Sequence, residues 1–243
     1  MADLPAAILF DLDDTIIEAY SRPRLAWAAV VGEFTQRLGD TPPDAIVAAI
    51  TTAANAFWGR DQAWHRIWRQ RLREAREQIV ESGFAQLAAD GYAVPPVAVQ
   101  HALSHRFSRY REENLKLFPD AHATIDALKA RGVKLALITN GPTEQQRDKV
   151  IRFALTERFD HIQIEGEHGF GKPEERAYRH ALATLDVGPD QAWMVGDNLE
   201  WEVIAPQKLG IHSIWYDPHG DGLPAGHAAK PDRIIRSLKE LLD

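Results

Sequence analysis

Five short apolar runs, each separated from the next by a helix-length segment or more, constrain this 243-residue chain more than any other feature. They are Ala6–Phe10, Val133–Ile138, Ile162–Glu165, Trp193–Val195 and His212–Tyr216. From Val133 onward a single helical segment lies between one run and the next, the pattern of a parallel sheet with helices on both faces. Ligands of such sheets bind beyond the carboxyl ends of the strands. The unusual polar residues of this chain stand at those ends: Asp11-Leu12-Asp13-Asp14-Thr15, Thr139-Asn140-Gly141 and Gly196-Asp197-Asn198.

The segment 16–115 breaks the alternation. It is too long for a crossover and is helical throughout, with helices expected near 21–38, 43–57, 61–82 and 96–113. Pro42-Pro43 and Pro95-Pro96 mark two of the starts, since proline suits the first helical turn. Trp64, Trp68, Leu72, Ala75 and Ile79 recur three or four apart and form one apolar stripe of the third helix. The expected organisation is therefore a doubly wound α/β core of residues 1–15 and 116–243 with an inserted helical domain at 16–115. Residues 233–242 read as a last helix.

Composition excludes several classes. The 28 basic and 35 acidic residues leave a net charge of −7, without the overall positive field of a general nucleic-acid binder. There are no cysteines, so disulfides, thiolate metal sites and a cysteine nucleophile are excluded. No apolar run approaches membrane-spanning length and no targeting segment stands out at the N-terminus. The expectation is a cytoplasmic protein with no nucleic-acid or membrane partner.

The strand-end residues suggest phosphoryl chemistry. Asp11 and Asp13 crowd like charges into a small volume, which a hard cation such as Mg²⁺ relieves through oxygen ligands. An aspartate can also attack phosphorus as a nucleophile. A hydroxyl and backbone N–H groups at Thr139-Asn140-Gly141 suit a phosphate oxygen, and Lys172 in its glycine-rich loop suits charge neutralisation. Taken singly, each segment also reads as a helix cap, a turn or a solvated side chain.

Taken together and in order, the segments resemble the haloacid dehalogenase superfamily. Asp11-Leu12-Asp13-Asp14-Thr15 matches its DxDxT motif, Thr139 its second motif, Lys172 its third and Gly196-Asp197 its fourth. The resemblance implies a Rossmann-like α/β core, and the helical insert resembles the C1 cap of that superfamily. The resemblance implies a Mg²⁺-dependent phosphomonoester hydrolase of a small phosphorylated metabolite, working through an aspartyl-phosphate. Asp11 would be the nucleophile and Asp13 the acid/base. Thr139 and Asn140 would hold phosphoryl oxygens, and Lys172 would balance their charge. Mg²⁺ would lie on Asp11, Asp197 and the backbone carbonyl of Asp13. A phosphomutase, or a non-catalytic phosphoryl-accepting or binding protein, is the alternative.

Three details refine the resemblance. The second aspartate that often follows the fourth motif is absent; Trp201 and Glu202 stand there, and Glu202 keeps the carboxylate. Asp13 separates the chain from metal-free dehalogenases, which lack an acid/base at that position. The segment 16–115 holds 12 arginines and no lysine, which disfavours a phosphonatase with its Schiff-base lysine. Those arginines and the tryptophan stripe read mainly as solvated face and cap core; His65, Arg66 and Tyr20-Ser21-Arg22 are the weaker candidates for substrate contact.

Overall fold

The computed structural model describes residues 4–243. In chain order, strands β1 (Ala7–Phe10) and β2 (Ile17–Glu18) precede six helices: α1 (Pro23–Glu33), α2 (Thr35–Leu38), α3 (Pro43–Trp58), α4 (Gln62–Trp68), α5 (Leu72–Ala89) and α6 (Val97–Glu113). The α/β part follows as β3 (Lys116–Leu117), α7 (Ala121–Ala130), β4 (Lys134–Thr139), α8 (Thr143–Arg152), β5 (His161–Ile164), α9 (Glu165–His168), α10 (Glu175–Leu185), β6 (Ala192–Gly196), α11 (Ala205–Gln207), β7 (His212–Tyr216) and β8 (Arg233–Ile235). The chain divides into two compact units, one of the residues up to Glu18 with Lys116–Asp243, the other Ala19–Leu115.

The first unit is built on a six-stranded sheet of order β5-β4-β1-β6-β7-β8, parallel throughout. Its strands are apolar on both sides because both faces are covered. On one face Tyr178, Ala181 and Leu182 of α10 pack with Ala7, Leu9, Ala136, Ile138 and Met194. The alternate residues Ile8, Phe10, Leu135, Leu137 and Val195 are equally buried. A separate two-stranded antiparallel pair joins β2 to β3, at the points where the chain leaves for the helical segment and returns.

The helical unit has its own core, in which Trp27 of α1 stacks on Phe107 of α6 with ring centroids 3.6 Å apart. The tryptophan stripe belongs to that core: Phe57 meets Trp64 and Trp68 edge-on at 5.1 and 5.3 Å. No helix among the described residues is long and apolar enough to cross a membrane.

Four elements differ from the sequence expectation, the first being the helix expected near 21–38, which is interrupted at Phe34 between α1 and α2. The helix expected over 61–82 is two, α4 and α5, broken around Arg69–Arg71. Its stripe serves two partners: Trp64 and Trp68 gather on Phe57, whereas Ala75 and Ile79 are buried further along, in α5. The helical segment expected between the runs Trp193–Val195 and His212–Tyr216 is a π-helical turn over Leu199–Ile204 followed by the short α11. The last segment is not one helix either. Arg233–Ile235 adds a strand to the sheet edge, burying Ile235, before a 3₁₀ turn at Leu238–Leu242.

Trp27→Ala is expected to cost about 3–5 kcal/mol, as for other large buried aromatics, while Leu25→Ala, at a position 64% exposed, is expected to cost under about 0.5 kcal/mol. Urea unfolding followed by circular dichroism measures both; equal losses would contradict the assignment of the helical core.

Candidate active site

The sheet order brings the polar strand ends together. Strand β1 lies between β4 and β6, with Phe10 in register with Leu137 on one side and Val195 on the other. Two residues further on, Leu12, Thr139 and Asp197 leave three neighbouring strands at one level. Asp11 is still tied to the sheet, its N–H donating to the Val195 carbonyl at 2.9 Å. The chain then turns sharply: Ile16 and Ile17 both donate to the Leu12 carbonyl, and Asp14 takes a left-handed conformation with φ 62°. Aspartate tolerates that conformation better than most residues. The turn places Asp11 and Asp13 beside the ends of β4 and β6.

Lys172 is the centre of the arrangement. It is fully buried, and its ammonium donates to Asp11 at 2.5 Å and pairs with Glu202 at 2.7 Å. Burial alone would push its pKa down; Asp11 and Glu202 outweigh that, and the amine is held above its ordinary range. Burial drives the Asp11 carboxyl up, with Lys172 opposing and the Asp13 charge adding to the rise. Glu202 is pushed up to about 7 by burial against the pull of Lys172.

The loop that delivers Lys172 is clamped from Asn140. The Asn140 carboxamide donates to the Lys172 carbonyl at 2.7 Å and accepts from the Lys172 N–H at 2.9 Å. Both ends of that side chain are therefore engaged with the lysine backbone. A side chain on Gly171 would put Cβ 2.4 Å from the Asn140 oxygen, so this clamp needs glycine there. Gly196 does the same for Glu202, whose Cγ lies 2.1 Å from where a Cβ would stand. Glu202 also accepts from the Asn198 N–H at 2.8 Å, which turns it back toward Lys172 within the π-helical turn.

Two residues that sequence reasoning did not single out hold Asp13. Lys149 of α8, 2% exposed, donates to both Asp13 oxygens at 2.7 and 2.8 Å. Gln146, one turn earlier, donates to Asp13 at 3.0 Å and to the Thr139 hydroxyl at 2.5 Å, and accepts from Lys149 at 2.8 Å. The signal available in the sequence was their i, i+3 spacing, which puts both on one face of the helix that follows Thr139.

Asp197 completes the set. No described residue donates a hydrogen bond to its carboxylate, and burial, then the charges of Asp11, Glu202 and Asp14, drive its pKa well up. Among the described residues, the carboxylates Asp11, Asp13, Asp197 and Glu202 gather around two ammonium groups, Lys149 and Lys172. An all-oxygen donor set with surplus negative charge fits a hard divalent cation.

Some of the weaker candidates make contacts inside the helical unit. The His65 ring nitrogen contacts the Trp58 carbonyl at 2.7 Å, and the Arg111 guanidinium lies over the Tyr20 ring and donates to the Ser21 carbonyl at 3.3 Å. Arg106 forks onto Glu33 at 2.6 and 2.9 Å.

The family model for haloacid dehalogenase-like hydrolases matches residues 5–210. The chain belongs to that family. It is 33% identical to a phosphoserine phosphatase of Thermus thermophilus over 199 residues, 78% of this chain and 73% of that protein. It is 29% identical to a ribulose-1,5-bisphosphate 5-phosphatase of Halopiger xanaduensis, over 99% of both chains. Among solved structures it is similar to the family member YfnB of Bacillus subtilis, bound to magnesium, with a TM-score of 0.69 at 22% identity, covering 98% and 97% of the two chains. That likeness extends the shared fold over the whole chain.

The Lys149–Asp13 pair should be visible in stability. Lys149→Met strands a largely enclosed carboxylate and is expected to cost about 3 kcal/mol, most of which should disappear in an Asp13→Asn background. A double-mutant cycle by chemical denaturation measures the coupling; purely additive losses would contradict the pairing.

Proposed function

We propose that the chain is a Mg²⁺-dependent phosphomonoester hydrolase of a small phosphorylated metabolite, working through a covalent phosphate on Asp11. The observation that carries this reading is the buried Lys172–Asp11 contact beside Asp13, Thr139 and the unbonded Asp197 carboxylate. The named activities of the two relatives, both phosphatases, support the reaction class.

In this reading an oxygen of Asp11 attacks phosphorus in line as the bond from phosphorus to the ester oxygen breaks. Asp13 gives a proton to the departing oxygen, and the alcohol leaves. Asp13, now a carboxylate, takes a proton from water; that water attacks phosphorus, the bond to Asp11 breaks, and phosphate departs with Asp11 restored. Gln146 and Lys149 keep the Asp13 carboxyl oriented between these steps. The Thr139 hydroxyl and Lys172 offer donors to the phosphoryl oxygens, and Asn140 acts by fixing the Lys172 backbone. Asp11, Asp197 and the Asp13 carbonyl would hold Mg²⁺, which when bound neutralises charge on the transferring group. The helical unit Ala19–Leu115 is proposed as the cap that selects the leaving group.

Phosphate release from p-nitrophenyl phosphate tests the reading. Activity is expected to disappear with EDTA, return with Mg²⁺, vanish in Asp11→Asn and fall by roughly 10²–10⁴ in Asp13→Asn. Undiminished activity in Asp11→Asn contradicts it. Interconversion of two sugar phosphates that requires a bisphosphate activator would assign the same residues to a mutase instead.

A further inference from the structure

Three histidines gather at the edge of the sheet, in residues that the phosphoryl site does not use. His161 opens edge strand β5, His168 ends α9, and His180 lies on α10. One ring nitrogen of each lies within 4.8 Å of the other two. The ring centroids are 5.5 Å apart for His161 and His180, 5.1 Å for His168 and His180, and 6.2 Å for His161 and His168.

The hydrogen bonds fix two of the rings in the form a metal needs. The Nδ1 of His168 contacts the Ile164 carbonyl at 3.1 Å. A carbonyl only accepts, so Nδ1 carries the proton and Nε2 keeps its lone pair. The Nδ1 of His180 contacts the Gln163 side-chain oxygen at 2.9 Å. That amide is itself oriented, because its nitrogen donates to the Ala177 carbonyl at 3.0 Å. His180 therefore also donates from Nδ1 and presents Nε2. The Nε2 of His161 is buried without a hydrogen-bond partner. An imidazole whose far nitrogen is tied to a carbonyl or amide oxygen is the usual second shell of a metal-binding histidine.

Burial lowers the pKa of His161, with its hydrogen bond to Gln163 opposing, and burial, then His168 and Arg176, lower that of His180. Arg176 itself rests on the Phe170 ring, 4.3 Å from its centroid, and Phe170 borders both His168 and His180.

We propose that His161, His168 and His180 form a second metal site, for Zn²⁺ or another late first-row divalent ion, separate from the Mg²⁺ site. Three imidazoles with no carboxylate select that class over Mg²⁺, which prefers oxygen. A tetrahedral ion with bonds of about 2.0–2.1 Å wants its nitrogens about 3.3 Å apart, so the rings close inward through side-chain torsions when it binds. The fourth position is left to water. His168 and His180 flank the segment 169–174 that carries Lys172, so a bound ion ties both ends of that segment to β5.

Isothermal titration of the metal-stripped full chain with Zn²⁺, in a large excess of Mg²⁺ to fill the oxygen site, tests the proposal. Wild type is expected to bind one Zn²⁺ per chain at the histidine site. His168→Gln and His180→Gln, checked for folding by circular dichroism, are each expected to weaken that binding on the order of 100-fold, the upper range seen even for second-shell changes. Both are expected to retain Mg²⁺-dependent phosphate release if the chain is the hydrolase proposed above, but the Zn²⁺ result does not depend on it. Absence of Zn²⁺ binding in wild type, or wild-type affinity in either variant, overturns the proposal.

Discussion

A single buried ammonium group organises the site. Lys172 has no exposure to solvent and reaches two carboxylates, Asp11 from the end of β1 and Glu202 from the turn after β6. Burying three charges is costly unless each is paired and hydrogen-bonded. The surrounding sequence supplies what that requires. Asn140 locks the lysine backbone, Gly171 lets the clamp close, Gly196 leaves room for the Glu202 stem, and the Asn198 N–H holds the Glu202 head. A second pair, Lys149 with Asp13, repeats the device two residues further along the same strand end.

These pairs meet because of strand order rather than sequence proximity. With β1 between β4 and β6, residues separated by more than 120 positions leave the sheet at one level. Here chain connections run outward in both directions, opening the crevice where ligands of doubly wound sheets bind. Among the described residues, Asp11, Asp13, Asp197 and Glu202 outnumber Lys149 and Lys172 there, which suits a divalent ion, while the lysines and the Thr139 hydroxyl suit phosphoryl oxygens.

Much of this was legible in the sequence because it is encoded locally. Each apolar run ends abruptly at its polar residue, so Asp11, Asp13, Thr139 and Asp197 could be placed at strand ends, and His212–Tyr216 falls on its strand. What could not be read depends on tertiary partners. Lys149 and Gln146 sit in TEQQRDKVIR, a run that looks like any solvated helix, and only the turn at Asp13 reveals why they are buried. The π-helical turn at Leu199–Ile204 follows from where Glu202 must point, not from helical propensity. Arg233–Ile235 becomes a strand because β7 offers an open edge. The three histidines are spread over 20 residues with no motif spacing, and only the packing of α10 against β5 unites them.

The most direct measurement is to trap the phosphate on the protein. Rapid acid quenching during turnover of a ³²P-labelled phosphomonoester, followed by peptide mapping, reads which side chain carries the label. The account predicts a transient, hydroxylamine-sensitive label on the peptide containing Asp11, absent in Asp11→Asn. Label on another residue, or steady turnover with no labelled protein at any time, would contradict it.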